Sequence, residues 1–320
     1  MIRRKLLLDC DPGHDDVVAI LLAAADPRLE LLAVTAVAGN ANCEATAKNA
    51  CATLDLAGSR AMVAAGCRAP LLKTPRFGDY IHGAGGLQGV TLPRSQRALD
   101  PRHASVAIVD AIMNAEPGTI SIVATGPLTN VALATALQPD IVGRVAEVLI
   151  MGGSDGNGNV TTSAEFNFHF DPEAASIVLS QDWRVRIFTL EVTHQLLVTE
   201  EVNSRLVQGS AGGAFVQKLL EPVAGAYKRE HGMDSPPLHD PCPVAYLADP
   251  DLFTFRRVEV EIDLTEGAHR GRSTFTDHEP LSCRGESDVH LAVSVDQEGF
   301  WTLLDQALRA TPIAKFEAPD

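Results

Sequence analysis

Short apolar runs alternate with stretches whose apolar positions recur at helical spacing along the first half of the chain and somewhat beyond. The runs Leu6 to Leu8, Leu29 to Ala38, Met62 to Ala65, Thr119 to Ala124, Val145 to Met151 and Val185 to Leu190 read as strands. Val17 to Ala25, Cys43 to Ala57, His103 to Ala115, Leu128 to Leu137 and Pro172 to Leu179 read as helices between them. Near-continuous apolar strands separated by helices predict a parallel sheet covered on both faces. The Gly- and Pro-rich stretch from Lys73 to Asp100 reads as a long functional loop. Thr199 to Arg229 is mainly helical. Beyond Pro250, the runs Phe253 to Leu264, Arg272 to Thr276 and Asp288 to Val295 alternate like antiparallel strands, before a last helix from Gln297 to Arg309. The expected fold is α/β, an open mostly parallel sheet with helices on both faces and a C-terminal antiparallel extension, in one domain over residues 1–320.

Sites of such sheets lie beyond the carboxyl ends of the strands, and polar clusters recur there. After the first strand comes Asp9-Cys10-Asp11-Pro12-Gly13-His14-Asp15-Asp16. Pro12-Gly13 imposes a tight turn, so Asp11, Asp15 and Asp16 can converge. Four carboxylates at one strand-to-helix junction repel each other unless a cation sits among them, and an all-oxygen donor set favours Ca²⁺ or Mg²⁺ over zinc. An acidic helix cap is the plainer alternative, but a single Asp would serve it. Gly39-Asn40, Thr125-Gly126, Met151-Gly152-Gly153 and Glu191 follow later strands and complete a rim.

Composition removes several function classes. Net charge is −15, from 26 basic and 41 acidic residues, which argues against nucleic acid or an anionic membrane as partner. Apolar runs are too short and too often interrupted for a membrane span, and Leu6 to Leu8 is too short for a signal-peptide core. Cys10, Cys43, Cys51, Cys67, Cys242 and Cys283 show no CxxC spacing, as expected of reduced thiols in a cytoplasmic protein.

With those motifs in view, the chain resembles the nucleoside hydrolases of the inosine-uridine preferring type. Their DxDPGxDD signature corresponds to Asp9 to Asp16. Ala38-Gly39-Asn40, Ala124 to Asn130, Met151-Gly152-Gly153 with Gly158-Asn159-Val160 and Ala164 to Asn167, and Leu238-His239-Asp240-Pro241 follow in the family's order. The resemblance implies Ca²⁺-dependent hydrolysis of the N-glycosidic bond of ribonucleosides, giving free base and ribose through an oxocarbenium-like state. It implies a Ca²⁺ held by Asp11, Asp16, Asp240 and the Thr125 carbonyl, with Asp11 accepting the proton of the attacking water. Asp15, Asn40, Asn159, Glu165 and Asn167 would hold the sugar hydroxyls, with Met151 also in the substrate site. For the leaving base it implies His239 and His82, and Tyr227 with His231 would form a relay on one helix face. It also implies a homodimer or homotetramer and a place in nucleoside salvage.

Several of these residues have ordinary readings when taken singly. Asn159 beside Gly158 is a turn pair, Glu165 and Asn167 alternate with phenylalanines like a half-exposed strand, and Asp240 before Pro241 is a helix N-cap. His231 stands where the pyrimidine-preferring branch tends to carry Gln or Tyr, and His82-Gly83-Ala84-Gly85-Gly86 departs from the usual HGxDG form. His14 replaces the small or branched apolar residue often found in the motif, and fits either a packed helix start or the site entrance. Two other functions bear on the same residues. A haloacid-dehalogenase-type phosphatase shares the Asp9/Asp11 spacing but wants Thr or Val where Gly13 stands, and a rim Lys. A non-catalytic Ca²⁺-dependent nucleoside-binding protein would need the sugar grip without Asp11 as base.

Overall fold

The computed structural model describes residues 3–277 and 288–313, so Cys283 lies outside the described residues. The layering begins in β1 (Arg4–Cys10), where successive side chains point to opposite faces. Leu6 and Leu8 join one buried cluster and Leu7 joins another. The remaining strands are β2 (Leu29–Ala36), β3 (Met62–Ala65), β4 (Ile120–Ala124), β5 (Val148–Met151), β6 (Val185–Phe188), β7 (Phe253–Ile262), β8 (Ser273–Asp277) and β9 (Val289–Val295). They form a nine-stranded sheet in the order β3-β2-β1-β4-β5-β6-β9-β7-β8.

Helices cover both faces. Helices α1 (His14–Ala25) and α2 (Cys43–Leu56) pack on the Leu6/Leu8 side. The short α3 (Asp79–His82) is the one helix within the long loop expected from Lys73 to Asp100. Helices α4 (Ala104–Met113), α5 (Thr129–Leu137) and α7 (Pro172–Leu179), the last preceded by the short α6 (Phe166–Phe170), build the opposite face. Past α8 (Leu190–Thr193), helices α9 (Glu200–Gly209), α10 (Ala211–His231), α11 (Pro241–Ala248) and α12 (Gln297–Ala310) return to the first face.

The structure bears out the C-terminal antiparallel strands and corrects the sequence reading in three other places. Strand β7 pairs antiparallel with both β8 and β9, as expected, and β9 joins this group to the parallel sheet. There β9 lies parallel to β6, with Val185 opposite Val289. Alternation reports which face a side chain takes and carries no information on strand direction. The strand expected to run through Leu190 ends at Phe188, and α8 starts at Leu190. The helical stretch from Thr199 splits at Ser210, whose hydroxyl caps α10 by accepting the Gly213 N–H. Glu165 to Phe168 is no strand, because Glu165 caps α6.

From β1 the chain turns to β2 on one side, whereas β4 pairs with β1 on the other. This reversal leaves a crevice at the carboxyl ends of β1 and β4. Cys10, Cys43, Cys51, Cys67 and Cys242 are buried free thiols. Among the described residues no helix is long and apolar enough to cross a membrane.

Candidate active site

The acidic turn lies in that crevice. Asp15, Asp16 and Asp240 bring carboxylate oxygens within 4.8 Å of one another. Asp16 Oδ2 accepts the Gly13 N–H at 2.9 Å and Asn40 Nδ2 at 3.2 Å, and its Oδ1 accepts the Thr125 hydroxyl at 2.9 Å. Asp240 stands at the start of α11, yet its side chain makes no capping bond. The plainer reading of Asp240 as a helix cap therefore does not account for its carboxylate.

Asp11 sits beneath the three. Its Oδ2 accepts the Asn40 N–H at 2.6 Å, and its Oδ1 is buried without a hydrogen-bond partner among the described residues. Glycine is required on both flanks. A β-carbon at residue 39 would stand 2.0 Å from Asp11 Oδ2, and one at residue 126 would stand 2.6 Å from Asp11 Oδ1. Asp9, one level lower, accepts the Thr35 hydroxyl at 2.6 Å and Asn130 Nδ2 at 2.8 Å, tying β1, β2 and α5 together under the site.

Burial first, and then the charges of their neighbours, push these carboxyls up. Asp16 rises to about 7 through burial and Asp15, while Asp11 and Asp240 rise well above the usual carboxylate range. Buried like charges this close carry a large penalty unless protons or a cation neutralise them. The donors are all oxygen, and one buried oxygen lacks a partner. This set fits a hard metal ion. The clustered third carboxylate is Asp15, which the sequence reading had given to the sugar.

Residues expected at the sugar stand around the carboxylates. Asp15, Asn40, Thr125, Met151, Asn159, Glu165, Asn167, Asp240, His82, Tyr227, His231 and His239 line one pocket, and the buried Asp11 and Asp16 are joined to it by their bonds with Asn40 and Thr125. Several also bind the scaffold. Glu165 Oε1 accepts the Asn167 N–H at 2.8 Å, and Oε2 accepts the N–H groups of Gly153 and Phe168 at 2.8 and 3.2 Å. Asn159 Oδ1 accepts the Phe166 N–H at 2.9 Å. Asn167 Nδ2 donates to the carbonyls of Thr125 and Met151 at 2.8 and 3.0 Å, leaving its oxygen as the free end. Glu191, expected on the rim, is not in the pocket lining and instead holds the loop after β5 through the Ser154 hydroxyl and the Asp155 N–H.

The far side of the pocket is histidine-rich. His239 Nε2 lies 2.9 Å from the Tyr227 hydroxyl and Nδ1 lies 2.7 Å from the Thr193 hydroxyl. Tyr227 and His231, one turn apart on α10, have ring centroids 5.1 Å apart, and no hydrogen bond joins them. His82 packs on His14, with their Nδ1 atoms 3.1 Å apart. Burial pushes His239 well down, and His82 down to about 3, which favours the neutral form of each ring.

The profile of the inosine-uridine preferring nucleoside hydrolases matches residues 6–302. This chain belongs to that family. It is 43% identical to the inosine-uridine preferring nucleoside hydrolase of Leishmania major, over 95% of this chain and 97% of that one. Against a pyrimidine-specific ribonucleoside hydrolase of Escherichia coli it is 34% identical, over 97% and 98% of the two chains. The solved purine-preferring ribonucleoside hydrolase from Gardnerella vaginalis superposes with a TM-score of 0.89 at 30% identity, covering 97% of this chain and all of that one. The chain is thus an N-ribosyl hydrolase that cleaves the N-glycosidic bond of ribonucleosides.

Gly78, Tyr80, Ile81 and Phe166 also line the pocket and were not foreseen. Tyr80 and Ile81 belong to α3, a single turn too short to show a period. Thr193 had no local signal at all, since its partner lies 46 residues away. A separate cavity of about 710 Å³ opens between α2 and the 83–99 loop, away from the carboxylates.

Proposed function

We propose that this hydrolase performs Ca²⁺-dependent cleavage of purine and pyrimidine ribonucleosides to free base and ribose. The observation that carries it is the buried carboxylate cluster at the sheet's switch point, faced by amide and carboxylate atoms of Asn159, Asn167 and Glu165 suited to a sugar. Asp11, Asp16, Asp240 and the Thr125 carbonyl would hold the ion, with Asp15 beside them. When bound, Ca²⁺ supplies Lewis acidity towards water and two sugar hydroxyls, and it tolerates the high coordination number this requires. Asp11 accepts the proton of the attacking water, and a neighbouring cation favours its ionised form.

Opposite, Asn159 Nδ2, Asn167 Oδ1 and the remaining lone pairs of Glu165 offer donors and acceptors to the ribose hydroxyls. Because their other atoms are bonded to backbone, these groups are pre-positioned and cost little reorganisation as charge develops on the sugar. His239 and Tyr227 adjoin the base and deliver its proton. A homodimer or homotetramer, cytoplasmic and serving nucleoside salvage, is the setting this reading carries.

Among the described residues lining the pocket there is no Lys or Arg, which weighs against a phosphatase. Incubation with inosine, adenosine, uridine and cytidine should release base and reducing sugar, with chelator abolishing release and Ca²⁺ restoring it. Phosphate release from nucleotides without base release would overturn the reading, and tight nucleoside binding without turnover would favour the binding-protein alternative.

A further inference from the structure

Two histidines line the base end, and a neutral imidazole carries its single ring proton on one nitrogen or the other. The buried partners behind each ring decide which. Thr193, fully buried on α8, places its hydroxyl 2.7 Å from His239 Nδ1 and 3.3 Å from the Leu190 carbonyl. That carbonyl already accepts the His194 N–H at 2.8 Å. A carbonyl oxygen can accept a second bond, but 3.3 Å is long for one. A contact of 2.7 Å is the usual length for an O–H donor and short for N–H···O, so the hydroxyl proton is assigned to the Nδ1 contact. Nδ1 is then the acceptor, Nε2 carries the ring proton, and Nε2–H donates to the Tyr227 oxygen 2.9 Å away. With its oxygen engaged as acceptor, the Tyr227 O–H is released to point into the pocket it lines. The chain Thr193, His239, Tyr227 donates in one direction, towards the substrate.

His82 has the opposite arrangement. His14 Nε2 faces the Gln88 carbonyl at 3.1 Å, and a carbonyl can only accept, so His14 carries its proton there. His14 Nδ1 is left with a lone pair. It lies 3.1 Å from His82 Nδ1, which must supply the proton between them. The His14 N–H, at 3.4 Å from the same nitrogen, is too long to reverse this choice. His82 Nε2 is consequently a bare acceptor, with no hydrogen-bond partner among the described residues, on a ring that lines the pocket. The Gln88 N–H returns to the His82 carbonyl at 2.8 Å, so His14 clasps a closed turn of the loop.

We propose that Thr193 and His14 are positioning residues that lock the two pocket histidines in opposite tautomers. His239 becomes the donor that feeds the leaving base through Tyr227, and His82 becomes an acceptor for an N–H or O–H of the nucleoside. The inference deepens the proposed hydrolysis and rests on it for the word "leaving". It removes His82 from the acid role that its place on the rim implies, and it gives His14 a function.

The test reads protons directly. The full chain, labelled with ¹⁵N-histidine and supplied with Ca²⁺, gives long-range ¹H–¹⁵N correlations that distinguish the tautomers. His82→Asn and His239→Asn identify the two patterns. His239 should show Nε2–H with a bare Nδ1, and His82 the reverse. Thr193→Val should disturb the His239 pattern, and Thr193→Ser should keep it. Since a histidine in the wrong tautomer can lose up to about 10⁴-fold in kcat, Thr193→Val should cost at least about tenfold more on inosine than on p-nitrophenyl riboside, whose leaving group needs no proton. The proposal is overturned by Nδ1–H on His239, by Nε2–H on His82, by a doubly protonated ring at neutral pH, or by equal loss on both substrates. The tautomers are read whether or not the chain turns over nucleosides, so failure here is separable from failure of the hydrolase reading.

Discussion

The sugar end and the base end of this pocket are built in different ways. At the sugar end, Asp11 and Thr125 directly follow β1 and β4, and Asp15 and Asp16 stand in the first turn of α1, one tight turn beyond β1. The side-chain hydrogen bonds of Asp11, Asp16 and Thr125 run to backbone, to each other or to the Asn40 amide, and the three residues are almost wholly buried. At the base end, His82 comes from a one-turn helix in a long loop, Tyr227 and His231 from the last turns of α10, and His239 from the approach to α11. No strand spaces those elements. Three of the grouped carboxylates come from the one turn that leaves β1, with Asp240 joining them from the start of α11, whereas contacts to the variable part of a nucleoside come from a long loop and from helix ends far apart in the chain.

The largest expected effect tests the sugar end. Asp11→Ala should lower kcat by about 10²–10⁴-fold for loss of a general base, with a further loss if a metal ligand goes with it, while KM moves far less. Steady-state kinetics on inosine with saturating Ca²⁺ provide the check. Near wild-type kcat in that variant would shift the base role to another carboxylate of the cluster, with Asp15 the next to examine. The loss should be equally severe on an activated riboside, because water activation does not depend on the leaving group.

At the base end the same pair of substrates should separate. His239→Ala should cost about 10²-fold or more on inosine and much less on p-nitrophenyl riboside, since only the proton donor has been removed. Equal losses on both would make His239 a substrate contact and would erase the functional contrast between the two ends.

The two ends also differed in how legible they were. Asp9 to Asp16 could be read because one tight turn compresses four carboxylates into eight residues, a density that turn chemistry alone does not need. Thr125 and Asn40 could be placed because an apolar strand ends immediately before each. The alternation of strands and helices gave the sheet, but that β9 runs parallel to β6 as well as antiparallel to β7 leaves no mark in its side chains. His14, His82 and Gln88 form their cluster across 68 and 74 residues of chain, and Thr193 meets His239 across 46. Contacts of that range follow from the folded path and not from any local period. Glu165, read as a sugar ligand, proved also to be the cap of a helix that its flanking phenylalanines had disguised as a strand.

A smaller effect concerns the cation and pH. Burial and the Asp15 charge hold Asp16 near 7 in the folded chain, well above its value when unfolded. A raised carboxyl contributes stability that is fully present at low pH and is lost as pH rises through about 7. Metal-free protein should therefore lose stability over that window. A cation replaces the proton, so stabilisation by Ca²⁺ should be small near pH 5 and grow towards pH 8, reaching about 2.7 kcal/mol at a hundredfold excess over Kd. Thermal unfolding with chelator and with Ca²⁺ across this range reads it directly. A Ca²⁺ shift independent of pH would mean that the ion binds away from the carboxylates.

The smallest effect is reserved for His231, which the sequence placed in a relay with Tyr227. Its ring lies 5.1 Å from the tyrosine ring, tilted by 50°, with no hydrogen bond between them. Burial lowers its basicity, and its ring remains partly open to solvent. A proton relay needs a hydrogen-bonded path, and the Tyr227 hydroxyl spends its contact on His239 instead. What remains for His231 is ring packing, of the order of 0.5–1.5 kcal/mol for an aromatic pair. His231→Phe keeps that packing and removes both ring nitrogens. It should leave kcat on inosine and on uridine within about threefold of wild type, as under 1 kcal/mol of barrier implies. His231→Ala, which removes the packing as well, should cost somewhat more by loosening Tyr227. A loss of a hundredfold in His231→Phe, confined to substrates with poor leaving groups, would restore the histidine to the relay and would show that the donor chain continues beyond Tyr227.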